Sequence, residues 1–111
     1  MIDEFEFMER RGMRVISKAR LREFWLSRPD AQDVLTAWYR LASTCRAENF
    51  SELKQWFGGA DYVPPRFTVF NVGGNKFRIV ACLPYDQQKL YIRGVFSHRE
   101  YDAWSKGNRR S

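Results

Sequence analysis

Phe67-Thr-Val-Phe-Asn-Val-Gly-Gly-Asn-Lys-Phe-Arg-Ile-Val-Ala-Cys-Leu83 reads as a β-hairpin. Its first six residues are β-formers, Gly73-Gly74 is a hairpin turn signal, and Asn75 to Leu83 reads as the returning strand. Toward the C-terminus, Pro84-Tyr-Asp-Gln-Gln88 makes a turn and Lys89-Leu-Tyr-Ile-Arg-Gly-Val-Phe96 a third strand. Ser97-His98-Arg99-Glu100 then has the capping-box spacing and opens a short final helix through Trp104. Toward the N-terminus, Ser51-Glu-Leu-Lys-Gln-Trp-Phe57 reads as a short helix stopped by Gly58-Gly59, with Pro64-Pro65 closing the loop beyond it. Before that, Asp30 can cap a helix whose apolar stripe is Val34, Leu35, Trp38, Tyr39, Leu41 and Ala42. Ser17 can cap an earlier one, running to about Ser27, with Leu21, Phe24 and Trp25 at i, i+3, i+4 spacing. Met13-Arg-Val-Ile16 has the character of a first strand. The pattern predicts an α+β domain: N-terminal helices packed on an antiparallel β-meander, with a short C-terminal helix. Trp25, Trp38 and Trp56 fall on apolar stripes and are expected in the core.

A chain of 111 residues, 44% hydrophobic and 16% aromatic, can bury one core and little more, which excludes a two-domain or disordered protein. No apolar run approaches the roughly 18 residues of a membrane span, and the N-terminus is acidic where a signal peptide is basic. A cytoplasmic address with no membrane contact is expected. The net charge of +6 favours polyanionic partners. It is unevenly spread: residues 1–12 hold Asp3, Glu4, Glu6 and Glu9 against Arg10 and Arg11, net −2, which leaves +8 on residues 13–111. Residues 1–12 read as an acidic extension or, with Met13 as the true start, a translated leader. Residues 13–111 form the single domain. Cys45 and Cys82 lie far apart with one His to join them, so they read as reduced thiols, and neither a metal nor a cofactor is expected.

Strand alternation sorts the side chains. In the second strand Phe77, Ile79, Ala81 and Leu83 share one face while Lys76, Arg78, Val80 and Cys82 share the other. In the third, Leu90, Ile92 and Phe96 oppose Tyr91, Arg93 and Val95. Arg78 and Arg93 thus fall together on the face away from the helices, where an anion such as a phosphate relieves their repulsion; a solvated face with scattered charge is the alternative. His98 follows directly on the strand that carries Arg93, with Tyr101 and Asp102 at i+3 and i+4 on the same helical side. A titrating imidazole, a phenol and arginines suit metal-free phosphoryl chemistry on RNA. A base takes the 2′-OH proton, arginines stabilise the crowded phosphorane, and an acid protonates the departing 5′-oxygen.

Three ordered blocks, Met13 to Trp25, Val69 to Val80 and Tyr91 to Asp102, resemble the signature segments of the HigB-type toxins of bacterial toxin–antitoxin modules. The resemblance covers residues 13 to about 105. It implies a RelE-like fold and an mRNA interferase activity coupled to the translating ribosome, neutralised by a HigA-type helix-turn-helix antitoxin. It also implies that Asn71, Lys76, Arg78, Arg93, His98 and Tyr101 form the site. By chemistry, Arg78 and Arg93 then hold the scissile phosphate, while Lys76 and Asn71 position neighbouring phosphates or ribose. His98 transfers protons, and Tyr101 shares that task or stacks on a base. Lys18, Arg20, Arg22 and Lys54 either grip ribosomal RNA or form a solvated face. Two other readings stay open: a non-catalytic RNA- or ribosome-binding inhibitor, and a gyrase-targeting toxin on the related ParE-like scaffold.

Overall fold

A computed structural model describes residues 12–110. The chain runs β1 (Arg14–Ile16), α1 (Ala19–Ser27), a 3-10 turn (Pro29–Ala31), α2 (Gln32–Thr44), α3 (Phe50–Trp56), β2 (Asp61–Val63), β3 (Phe67–Val72), β4 (Phe77–Cys82), a second 3-10 turn (Tyr85–Gln87), β5 (Lys89–Ser97) and α4 (His98–Arg110). The architecture is α+β, with four α-helices and a mixed five-stranded sheet among the described residues. Gly73 and Gly74 have φ of 64° and 69°, values that glycine adopts without steric cost, and they let β3 return as β4 with Val72 opposite Phe77. Residues 1–11 of the acidic extension lie outside the described residues.

The sheet order is β1-β5-β4-β3-β2, and its two edges depart from the expected meander. β1 pairs with β5 in parallel, Arg14 opposite Lys89. Met13 is 0% exposed, and its N–H donates to the Cys45 carbonyl at 3.1 Å, so burial and backbone pairing hold this edge. At the other edge Asp61–Val63, expected as loop, pairs antiparallel with β3. Three residues are too few to show a period, and the free edge of β3 supplies the partner.

Three helix starts also differ. α1 begins after Lys18, with no side-chain cap from Ser17. Asp30 sits in a 3-10 turn that Pro29 initiates; its carboxylate takes the Arg28 guanidinium (3.2 Å) and does not cap α2. α3 starts one residue early because Asn49 is its cap, its side-chain oxygen accepting from the Glu52 N–H at 2.9 Å.

α1, α2 and α3 cover one sheet face. Trp38 and Phe57 meet Phe70 edge-on at centroid distances of 5.3 and 4.9 Å, and Phe24 meets Phe77 at 5.6 Å. Trp56 is 40% exposed and Trp25 is half-buried, so of the three tryptophans expected inside only Trp38 is fully so. A short α3 presents a single buried residue, Leu53, and its last residue has no facing layer.

β5 contains a bulge that overturns its simple alternation. Val80 pairs with Gly94 and Ala81 with Ile92, which leaves Arg93 as the extra residue. One inserted residue flips every later side chain. Val95 therefore packs toward the helices, while Phe96 goes to the opposite face. That second face is covered by α4: Trp104 lies 5.2 Å from Phe67 and 6.1 Å from Phe96, over the buried Val69 and Val80. No described helix is long and apolar enough to cross a membrane.

Candidate active site

The start of α4 is held in two ways. Glu100 accepts from the Ser97 N–H at 2.8 Å while Ser97 Oγ accepts from the Glu100 N–H at 3.2 Å, the reciprocal pattern of a capping box. The His98 N–H then donates to the Lys76 carbonyl at 2.9 Å, which ties the helix to the β3–β4 turn. These bonds set the imidazole beside β4.

Arg78 lies on the face predicted for it, but α4 folds over that face and leaves the residue 8% exposed. Its guanidinium donates to the Phe77 carbonyl through Nη1 (3.1 Å) and to His98 Nδ1 through Nη2 (3.3 Å). It also lies 5.7 Å from the centre of the Tyr101 ring. A guanidinium has only donors, so Nδ1 must accept and the ring proton sits on Nε2. Nε2 faces Asp102 Oδ2 at 3.6 Å, one turn along α4. Asn71 pairs with Arg78 across β3 and β4, and its amide packs against Gly59. Arg78, His98, Tyr101 and Asp102 thus converge, whereas the Asn71 side chain lines a hollow with Trp38 and Phe57. Asp102 was visible only as an i+4 neighbour; its alignment on Nε2 gives it a place in the cluster.

Other expected residues stand elsewhere. Lys76 contributes its carbonyl to the helix start; the Arg28 hydrogen bond and, to a smaller extent, the Lys76 ammonium hold the Asp30 carboxyl below the usual carboxylate range. Arg93 does not join Arg78: the cross-strand partner of Arg78 is Phe96, three residues or roughly 10 Å along the strand. The Arg93 guanidinium sits 5.3 Å over Tyr91, pointing further away. Arg20 donates to the Arg93 carbonyl at 3.3 Å, bracing the bulge. Lys18 and Arg22 line a groove of about 320 Å³ between α1 and α2, with Trp25 and Tyr39. Lys54 is exposed on α3.

Among the described residues no three His, Cys, Asp or Glu side chains gather as a metal site needs. Cys45 is fully buried, and desolvation pushes its thiol up to about 11. Cys82 is half-buried on the second face. Chemically, the cluster joins an exposed imidazole, one nitrogen facing a carboxylate and the other a guanidinium, to a phenol within reach of the same guanidinium.

The chain is similar to known proteins along much of its length. Residues 31–104 match the HigB toxin family, described as the RelE-like toxic component of a toxin–antitoxin system. The mRNA interferase toxin HigB of Escherichia coli (strain K12) is 51% identical over 41 residues, 37% of this chain. That stretch spans 39% of the relative's length. The mRNA interferase HigB of Escherichia coli O6:H1 is 26% identical over 96 residues, covering 85% of this chain and 93% of that protein. The matched segment holds β2 to β5 and the His98 cluster, and this chain belongs to the HigB family of RelE-like toxins.

Proposed function

We propose that this chain is the toxin of a type II toxin–antitoxin module and cleaves mRNA on the ribosome, in a RelE-like manner and without a metal. The observation that carries the reading is the Arg78 to His98 contact, 3.3 Å, with Asp102 aligned on the far ring nitrogen. The names of the relatives, mRNA interferases, point the same way. Its partners are then mRNA, the ribosome and a HigA-type helix-turn-helix antitoxin, and its place is the cytoplasm.

In this mechanism the substrate phosphate draws the Arg78 guanidinium off Nδ1. The freed nitrogen takes the proton of the 2′-OH, whose oxygen attacks the adjacent phosphorus. Arg78 stabilises the negative charge that builds on the phosphorane oxygens. The P–O5′ bond breaks, and Tyr101 gives its proton to the leaving oxygen, which yields a 2′,3′-cyclic phosphate and a 5′-hydroxyl end. Asp102 stabilises the imidazolium through Nε2–H, and Asn71 orients the neighbouring ribose or phosphate. Arg93, Lys76, Lys18, Arg20, Arg22 and Lys54 act as phosphate contacts away from the reacting atoms.

Mapping RNA ends after brief induction tests this. New 5′-hydroxyl ends in translated messages, absent with His98→Ala, are expected. Growth arrest with intact messages would instead assign inhibition by occupancy, and DNA damage with intact messages a gyrase target.

A further inference from the structure

We infer that the second sheet face between Arg66 and Arg93 is a stacking subsite for single-stranded RNA, holding nucleotides that flank the cleaved bond; this rests on the RNA-cleaving reading above. A concavity of about 290 Å³ lies there, and an adjoining one of about 500 Å³ that shares Arg66, Cys82 and Arg93 reaches round the end of the sheet to Leu83 and Tyr85. No aspartate or glutamate among the described residues lines either one. Two exposed guanidiniums without a carboxylate form an anion-seeking surface.

The geometry adds a preference for bases. Arg66 lies 5.7 Å over the Phe67 ring and Arg93 lies 5.3 Å over the Tyr91 ring, so each guanidinium is seated beside an aromatic wall. The bulge at Arg93 aims this side chain, and the Arg20 bond to its carbonyl holds the bulge. Gly94 keeps the floor low, since a Cβ there would fall 2.6 Å from the Phe96 ring. Trp104 walls the smaller concavity and stacks on Tyr101 (5.7 Å, 28°), which in turn lies beside Arg78. An aromatic path thus leads from the His98 cluster to the concavity. Flat walls and guanidinium planes stack on bases while guanidinium edges take phosphates, the combination that single strands use. An acidic peptide would engage the edges and leave the walls bare.

Cys82 reports on the site because it lines both concavities, whereas Cys45 is 0% exposed. The experiment uses the full chain carrying His98→Ala, a labelled mixed-sequence RNA decamer, and the rate of Cys82 alkylation by a maleimide. The decamer should slow alkylation, and heparin, a polyanion without bases, should not. Arg66→Ala with Arg93→Ala should weaken the decamer by roughly 5- to 100-fold and abolish protection. The slope of log affinity against log salt should become shallower by about 0.7 for each guanidinium removed. Both residues are exposed, so circular dichroism of the double variant should match that of its parent.

Equal affinity and unchanged alkylation in the double variant would overturn the subsite, and so would equal protection by heparin. Protection by an antitoxin and not by RNA would give the face to a protein partner and overturn it as well. Messages that are cleaved in cells while the decamer leaves Cys82 unprotected would sink the subsite alone. A chain that neither cleaves nor binds would sink both readings.

Discussion

Arg78→Ala and His98→Ala are expected to separate stability from chemistry, although the two side chains touch. Arg78 is 8% exposed and bonded to a carbonyl and an imidazole. Hydrogen bonds from a charged donor are worth about 1.5 to 3 kcal/mol each, and the cost of burying the charge offsets part of this. Truncation also empties the space its stem fills beneath Tyr101. A net loss of about 2 to 3 kcal/mol follows, or a Tm lowered by roughly 10 to 20 °C in a domain of this size. Arg78→Met keeps the stem and removes the charge, so it should stay within about 1 kcal/mol of the native protein and still fail to cleave. The His98 side chain is 57% exposed, and water can replace it beside Arg78. His98→Ala should change stability by no more than about 0.5 kcal/mol while lowering cleavage at least 100-fold. Thermal melts followed by circular dichroism, together with counts of new 5′-hydroxyl ends and growth after induction, measure both quantities. Full cleavage by a folded His98→Ala protein would refute the catalytic role, and an undiminished Tm in Arg78→Ala would refute the buried one.

Stability should fall at high pH because of Cys45: the unfolded thiol releases its proton near 9.0 and the buried one only near about 11. The contribution is whole below pH 9 and is lost from there to pH 11 at no more than about 1.4 kcal/mol per pH unit. Tyr85, also raised by burial, acts in the same direction from pH 10 upward, so urea unfolding of Cys45→Ala beside the native chain at pH 8 and 10.5 is needed to isolate the thiol. Equal pH dependence of the two would contradict it. Ribosome-dependent cleavage should survive phenanthroline with enough Mg²⁺ left to keep ribosomes intact; loss restored by zinc would overturn the metal-free mechanism. A chain starting at Met13 should melt and cleave like the full one, because Met13 retains its burial and its bond to Cys45. If the acidic residues instead mask the basic face, the shortened chain binds RNA more tightly at low salt, and the difference fades as the Debye length shrinks toward about 10 Å. Intact mass of the protein expressed from its native upstream sequence settles the start.

What was legible in the sequence was local. Gly73-Gly74, the β-formers on either side and the Ser97 to Glu100 spacing each act within a few residues, so hairpin, strands and the start of α4 could be placed from residue types alone. β1 was legible as a strand but its parallel pairing with β5 was not, and β2, three residues without a period, exists because β3 offers it an edge. Ser17 and Asp30 have the chemistry of caps, yet Asp30 found a stronger partner in Arg28 and α1 starts beyond Ser17.

Residue types and their order carry an α+β class, the basic charge, the family resemblance, and the succession of Arg78, His98, Tyr101 and Asp102. Which of them meet depends on packing between elements far apart in the chain. The bulge at Arg93 exchanges the faces of Val95 and Phe96, and strand alternation cannot foresee it because an inserted residue depends on how the neighbouring strand pairs. Arg93 is thereby directed toward Arg66 and away from Arg78. α4, polar in most of its residues, turns Tyr101 and Trp104 onto the second sheet face and makes a buried charge of Arg78. Burial is a property of two packed surfaces, and a linear pattern describes only one of them.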